Sequence, residues 1–247
     1  ERLATDQKVG SSNLLTHGEK PFVKGSESTP FRSAFCVVKT ADIVREIRWK
    51  GVFMCGRYYI DEEMTPEIFR ALGIAETKLK FRTGDVHPSE MAPVIRNLEG
   101  TAVVEEMKWG FPATQGRGLL INARAETALE KRMFRENVLR RRCVAPARKF
   151  YEWNRRKEQA VFERQDTGVL YLAGFYDYVD DQECFVLLTT AANSSVSSVH
   201  DRMPLILEAG ESLQWLEKAA PVGEFLKKQP RTLKRYQEYE QQTFSFL

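Results

Sequence analysis

Five short runs between residues 143 and 190 constrain the fold of this chain more than any other feature. Residues 143–146, 150–153, 160–164, 169–176 and 184–190 are apolar throughout or alternate apolar with polar residues. Each has the length of a strand and is too short for a buried helix. Residues 92–95 and 102–109 read the same way, with a turn at Asn97-Leu98-Glu99-Gly100 between them. Thr65-Pro66-Glu67 reads as a helix start, with a capping hydroxyl and proline at the first position. Residues 125–139, 211–219 and 222–228 carry helical pattern, the last two separated by Pro221. The mixture predicts an α+β fold with a substantial antiparallel sheet.

The chain has 247 residues, 43% of them hydrophobic, enough to bury a real core and too apolar for a disordered chain. No stretch approaches the ~18 apolar residues of a membrane helix. The first residues lack a basic segment followed by an apolar run, so a cytoplasmic protein is expected, nucleoid-associated if bacterial. Cys36, Cys55, Cys143 and Cys184 are far apart and form no CxxC pair, which argues against a disulfide scaffold or a zinc site. No metal and no cofactor is expected. Gly116 and Gly118 lack the rest of a dinucleotide fingerprint and read as a turn.

Residues 1–53 show neither helical nor strand periodicity, apart from a helix-like stretch at 40–49, and read as a poorly ordered extension. The working domain is expected to span 54–247, with Met54 as an alternative start. The extension holds nine Lys/Arg against six Asp/Glu, and the rest of the chain holds 28 of each. Inside that neutral domain, residues 131–157 carry eleven Lys/Arg against Glu136 and Glu152. Phe134, Phe150, Tyr151 and Trp153 interleave with the cations, a pattern suited to phosphate contacts beside stacking surfaces.

Several polar residues sit in apolar or small-residue settings: Cys55 in Met-Cys-Gly-Arg, Asn122 and Arg124 in Asn-Ala-Arg-Ala-Glu-Thr, Glu152 in Phe-Tyr-Glu-Trp, and His200 in His-Asp-Arg-Met-Pro. A carboxylate between aromatics on a strand is costly unless paired or functional. Singly, each has an ordinary reading: Asn122 as a helix cap, Glu152 as an outward or Arg-paired residue, His200 as a satisfied loop histidine. Cys143 and Cys184 read as core cysteines.

Together, the four blocks resemble the SRAP (SOS response-associated peptidase) family, in its order and over about two-thirds of the chain. The resemblance implies a single domain on a largely antiparallel, barrel-like sheet with flanking helices. It implies a monomer that senses abasic sites in single-stranded DNA and captures them in a thiazolidine crosslink, with associated autoproteolytic or peptidase activity. By motif position Cys55 would be the nucleophile once Met54 and everything upstream is removed. Asn122 would orient its amine, Glu152 would act as acid and base, and His200 would assist sugar opening and crosslink reversal. Arg57, Arg124 and Arg202 would bind DNA, Thr189 would lie near the site, and Trp109 and Met133 would pack against or wedge bases.

Elementary chemistry agrees. An N-terminal cysteine offers an amine with a pKa near ~8 beside a thiol near ~8.5. The amine forms an imine with an aldehyde and the thiol closes a five-membered ring, with a nearby acid and base moving the protons. The chain departs from the family where Asp85-Val86-His87-Pro88 replaces the usual Asn-x-x-Pro, and where Lys149 replaces a glycine. Two other functions use the same features: a thiol peptidase with Cys55 and His200 as nucleophile and base, and a non-covalent single-strand binding module on the 131–157 run.

Overall fold

The structure is a computed structural model and describes residues 55–74, 83–113 and 118–237. The expected extension 1–53, its helix-like stretch and the 53/54 boundary lie outside the described residues. In chain order the elements are β1 (Tyr58–Ile60), α1 (Met64–Leu72), β2 (Gly84–Val86), β3 (Met91–Leu98), β4 (Thr101–Trp109), β5 (Phe111–Pro112), β6 (Leu119–Leu120) and β7 (Asn122–Arg124). After a 3-10 turn at Ala125–Thr127 come α2 (Arg132–Arg140), β8 (Arg142–Ala147), β9 (Lys149–Trp153), β10 (Gln159–Glu163), β11 (Leu170–Val179) and β12 (Gln182–Ala191). The last are β13 (Arg202–Pro204), β14 (Ile206–Leu207), α3 (Ala209–Leu216), α4 (Val222–Phe225) and β15 (Lys234–Gln237).

Five of these strands close a ring. β12 pairs with β4, β4 with β3, β3 with β8, β8 with β11, and β11 returns to β12. All of these pairings are antiparallel except β12 with β4, where Phe185 lies opposite Trp109. Closure leaves no exposed edge within the ring. The α+β expectation with a barrel-like, largely antiparallel sheet therefore holds. The runs at 92–95, 102–109, 143–146, 169–176 and 184–190 lie in its walls, while those at 150–153 and 160–164 fall in a second sheet.

The turn at residues 97–100 forms as expected: Glu99 and Gly100 have φ of 52° and 93°, and the Asn97 side chain accepts the Gly100 N–H at 2.8 Å. Thr65 does not cap α1. The helix begins one residue earlier, and the Asp61 carboxylate accepts the Met64 N–H at 3.1 Å. The helix expected over 125–139 is interrupted, because Lys131 is extended (ψ 116°) and separates the 3-10 turn from α2.

A second sheet, in the order β15-β10-β9-β1-β2, runs antiparallel throughout. Its inner face buries Tyr58, Val86, Phe150 and Phe162, with the two phenylalanine rings stacked at 5.2 Å. Its outer face carries Tyr59, Lys149, Tyr151 and Trp153.

Two local features hold the ring to its helices. Arg142 is buried with no carboxylate partner among the described residues. Its guanidinium donates instead to the carbonyls of Val138 (3.1 Å), Leu139, Trp215 (2.6 Å) and Glu217, at the C-terminal ends of α2 and α3. A cation there satisfies orphan carbonyls and opposes both helix dipoles. Gly174 lies mid-β11, where β11 meets both β8 and β12. A Cβ at Gly174 would stand 2.7 Å from the Val186 carbonyl oxygen, a backbone atom that cannot swing aside. Gly174→Ala is therefore expected to destabilise the fold by about 2 kcal/mol, measured by urea denaturation. An unchanged midpoint would show that the closing seam tolerates a wider spacing.

Candidate functional site

Cys55 lies three residues before the start of β1 and is 1% exposed. Its φ is 33°, in the left-handed region that a non-glycine residue occupies only at a cost. What holds it there comes from β9: the Cys55 backbone N–H donates to Oε1 of Glu152 at 2.6 Å. Glu152 shares the inner face of the second sheet with Phe150 and lies opposite Ala160, and it too is 1% exposed. The carboxyl thus points into the molecule, not outward, and is not ion-paired to an arginine.

Burial pushes the Glu152 carboxyl up to about 8, with the charge of Asp201 adding to the shift and the Cys55 and Trp153 N–H groups opposing it. It is therefore largely protonated at neutral pH. Burial also raises the Cys55 thiol, and the neighbouring Glu152 charge raises it further. The pair at rest is a neutral thiol beside a neutral carboxylic acid, a starting point for proton exchange rather than a preformed thiolate.

His200 is buried at 9% exposure. Its Nδ1 accepts the Arg202 N–H at 3.0 Å, which places the imidazole proton on Nε2. Asp201 Oδ1 lies 3.1 Å from the same Nδ1, so the proton would sit between them only in the imidazolium. Nε2 is buried without a hydrogen-bond partner among the described residues. The ring is held as a donor with nothing yet to donate to. Asn122 is carried by β7 in register with Leu187 of β12, and Arg124 with Thr189.

The expected DNA-contacting residues divide. Met133 is 47% exposed on α2, and Arg124 is exposed. Trp109 is not at the surface. It is wholly buried, stacks on Phe185 at 6.3 Å, tilts against Tyr58 at 5.1 Å and donates Nε1–H to the Ile121 carbonyl at 3.1 Å. A residue so placed supports the wall behind Cys55 and has no free face for a base. Thr189 is also fully buried, and its carbonyl accepts from Arg202 at 2.7 Å. Arg202 is held in a two-pronged pair with Glu126 at 2.6 and 2.7 Å, which lowers the Glu126 carboxyl and fixes the loop that carries His200. Arg57 is ion-paired with Asp85 and lies 4.3 Å above the Tyr151 ring.

The basic run does not form one surface. Arg140 pairs with Glu136, Arg141 with Asp177 and Arg148 with Asp61 and Glu67, while Arg142 is buried. Phe134, Phe150 and Tyr151 are buried, leaving Trp153 as the exposed aromatic of the four. Arg155, Arg156 and Lys157 cap the exposed β9–β10 turn, which is pinned by the Asn154 side chain accepting the Arg156 and Glu158 N–H groups. Sequence reasoning gave Asp201, Glu126 and Asp85 no role, although all three lie in segments it singled out, because their partners His200, Arg202 and Arg57 are set by the fold.

Known proteins resemble this chain in sequence and in fold. A family described as SOS response associated peptidase (SRAP) matches residues 54–243. Abasic site processing protein YoqW of Bacillus subtilis (strain 168) is 30% identical over 183 residues, covering 66% of this chain and 80% of its own length. Abasic site processing protein HMCES of Gallus gallus is 29% identical over 163 residues, covering 51% and 48%. A crystal structure of a protein from Bordetella bronchiseptica superposes with a TM-score of 0.62 at 25% identity, covering 74% of this chain and 99% of that one. A second, from Bacteroides thetaiotaomicron, has a TM-score of 0.61 at 23% identity, covering 75% and 93%, and shares the fold.

The raised carboxyl has a thermodynamic signature. Between the ordinary carboxylate value near ~4.3 and its native value of about 8, Glu152 holds a proton in the native state that the unfolded chain has released. Stability therefore falls as pH rises through that window, by up to about 5 kcal/mol from this group. Glu152→Gln keeps an acceptor for the Cys55 N–H and removes the titration. Urea denaturation at pH 5, 7 and 9 is expected to show the variant gaining on the parent as pH rises. Parallel curves would mean that the carboxyl is not buried as described.

Proposed function

The chain belongs to the SOS response associated peptidase family, and from that premise we propose that it processes abasic sites in single-stranded DNA by covalent capture on Cys55. The observation that carries this reading is the bond between the Cys55 nitrogen and Glu152 Oε1 at 2.6 Å, which sets a protonated carboxyl on the atom that would attack an aldehyde.

The steps use the residues as they stand. Nε2–H of His200 hydrogen-bonds the sugar ring oxygen as the C1′–O bond breaks, and the proton of the anomeric hydroxyl passes through water to that oxygen, leaving the aldehyde. The Cys55 amine adds to the aldehyde carbon and, after proton transfer from nitrogen to oxygen, gives a carbinolamine. Glu152 delivers its proton to the departing hydroxyl, which leaves as water, and an iminium ion forms that keeps the remaining N–H. The carboxylate so produced takes the proton of the Cys55 thiol, and the sulfur attacks the iminium carbon and closes the thiazolidine. One carboxyl thus serves first as acid and then as base, and returns to its protonated state. Its burial suits both tasks, because a pKa of about 8 keeps proton donation and removal close in energy at neutral pH.

This chemistry requires a free amine on Cys55. In the 247-residue chain that nitrogen is an amide. Removal of everything through Met54 supplies the amine. Self-cleavage is one route: the Cys55 sulfur adds to the Met54 carbonyl, Glu152 protonates the departing Cys55 nitrogen, and water hydrolyses the thioester. The left-handed φ of 33° at Cys55 supports this route, since breaking that peptide bond relieves the strain.

Two preparations test the proposal: the 247-residue chain, and one made with Met54 as its initiator so that Met removal leaves Cys55 first. Each is incubated with an oligonucleotide carrying one abasic site and read by intact mass. The Cys55-first protein is expected to add the oligonucleotide mass less one water. Cys55→Ser is expected to leave no heat-stable adduct, and Glu152→Gln to slow capture about 100-fold. The parent rate falls above about pH 8, as Glu152 loses its proton. A heat-stable adduct on uncut 247-residue chain would sink the mechanism.

A further inference from the structure

The outer face of the second sheet holds a group of charges and rings that the capture chemistry does not use. In register across β2, β1 and β9 stand Asp85, Tyr59 and Lys149. Lys149 Nζ lies 4.7 Å from the Tyr59 ring centroid and 5.9 Å from that of Tyr151. Arg57 covers the other part of Tyr151 at 4.3 Å. The group adjoins the proposed site along the chain, on the other face of the sheet: Arg57 follows Cys55 by two residues and Tyr151 precedes Glu152 on β9.

The acids of this face are already engaged. Asp85 is ion-paired with Arg57 and accepts the Tyr151 hydroxyl, and these bonds hold its carboxyl below the usual range. Glu163, opposite Lys149 on β10, accepts the Tyr236 hydroxyl at 3.0 Å. Lys149 is left in no ion pair among the described residues, its ammonium held between two rings. A ring face offsets only part of a cation's charge. A flanking anion would complete the group, and Trp153, 37% exposed and 6.5 Å from the Tyr151 ring, offers a surface for a base beside it.

We propose that Lys149 binds a backbone phosphate of the single strand whose lesion enters the Cys55 site, while Asp85 acts as an internal counter-ion that withholds Arg57 from that role. This rests on the DNA-capture reading and assigns the phosphate contact within it. Two departures from the family pattern thereby become one exchange. The acid at position 85 removes one cation from the strand's path, and the lysine at 149 supplies another in the next strand over.

The test uses the 247-residue chain and an undamaged, fluorescein-labelled thymidine oligonucleotide, with binding read by anisotropy over a range of salt. Lys149→Met keeps the aliphatic stem over Tyr59 and removes the charge. It is expected to weaken binding and lower the slope of log K against log salt by about 0.7, the share of one single-strand phosphate. Arg57→Met is expected to leave the slope unchanged. Asp85→Asn is expected to raise it by about 0.7, a gain that unfolding cannot mimic. The proposal is overturned if Arg57→Met lowers the slope as Lys149→Met does, if Lys149→Met leaves it unchanged, or if no binding occurs at low salt. An undamaged strand forms no adduct, so failure here leaves capture standing, and failure of capture leaves these slopes standing.

Discussion

A single hydrogen bond, from the backbone N–H of Cys55 to the carboxyl of Glu152, organises the chemically active part of this molecule. It joins the segment leading into β1 to the end of β9, on the inner face of the sheet, where neither group meets water. Everything distinctive about the pair follows from that placement. The carboxyl cannot stay ionised cheaply, so it holds its proton. The thiol beside it cannot ionise cheaply either, so it too rests neutral. The sheet that makes this possible packs Phe150 and Phe162 behind the carboxyl, and Trp109 behind Tyr58.

The fold was legible in the sequence where the strands are long. Residues 102–109, 169–176 and 184–190 show period-two patterning over enough positions to be recognised, and all became walls of the closed ring. The strands that were not read, β1, β2, β5, β6, β7, β13, β14 and β15, have two to four residues. No periodicity can be seen in so few positions, and these strands exist because a neighbour supplies their hydrogen bonds. β1 illustrates the point, since it is held between β2 and β9 and carries the cysteine to its partner.

The candidate site was legible as residue types and only partly as positions. Cys55 and Glu152 could be paired through the order of four motif blocks, and they do meet. Trp109 could not be placed, because an aromatic that packs a wall and one that stacks a base look alike in one dimension. The basic run misled in a different way. Counting its cations says nothing about which acids lie across the fold, and Asp61, Glu67 and Asp177 lie far from residues 131–157 in the chain but against them in space. Arg142 is the extreme case, a cation used as a structural bracket for the ends of two helices.

The separation of Cys55 and Glu152 along the chain, 97 residues, has a consequence for the order of events during synthesis. At ordinary translation rates of about 5–20 residues per second, the cysteine leaves the ribosome roughly 5–20 s before its carboxyl partner exists. Until β9 is made and joins β1, the thiol is in water with the acidity of any exposed cysteine. The buried, raised thiol is thus a property acquired on folding, and a nascent or unfolded chain carries Cys55 without the carboxyl that neighbours it in the native structure.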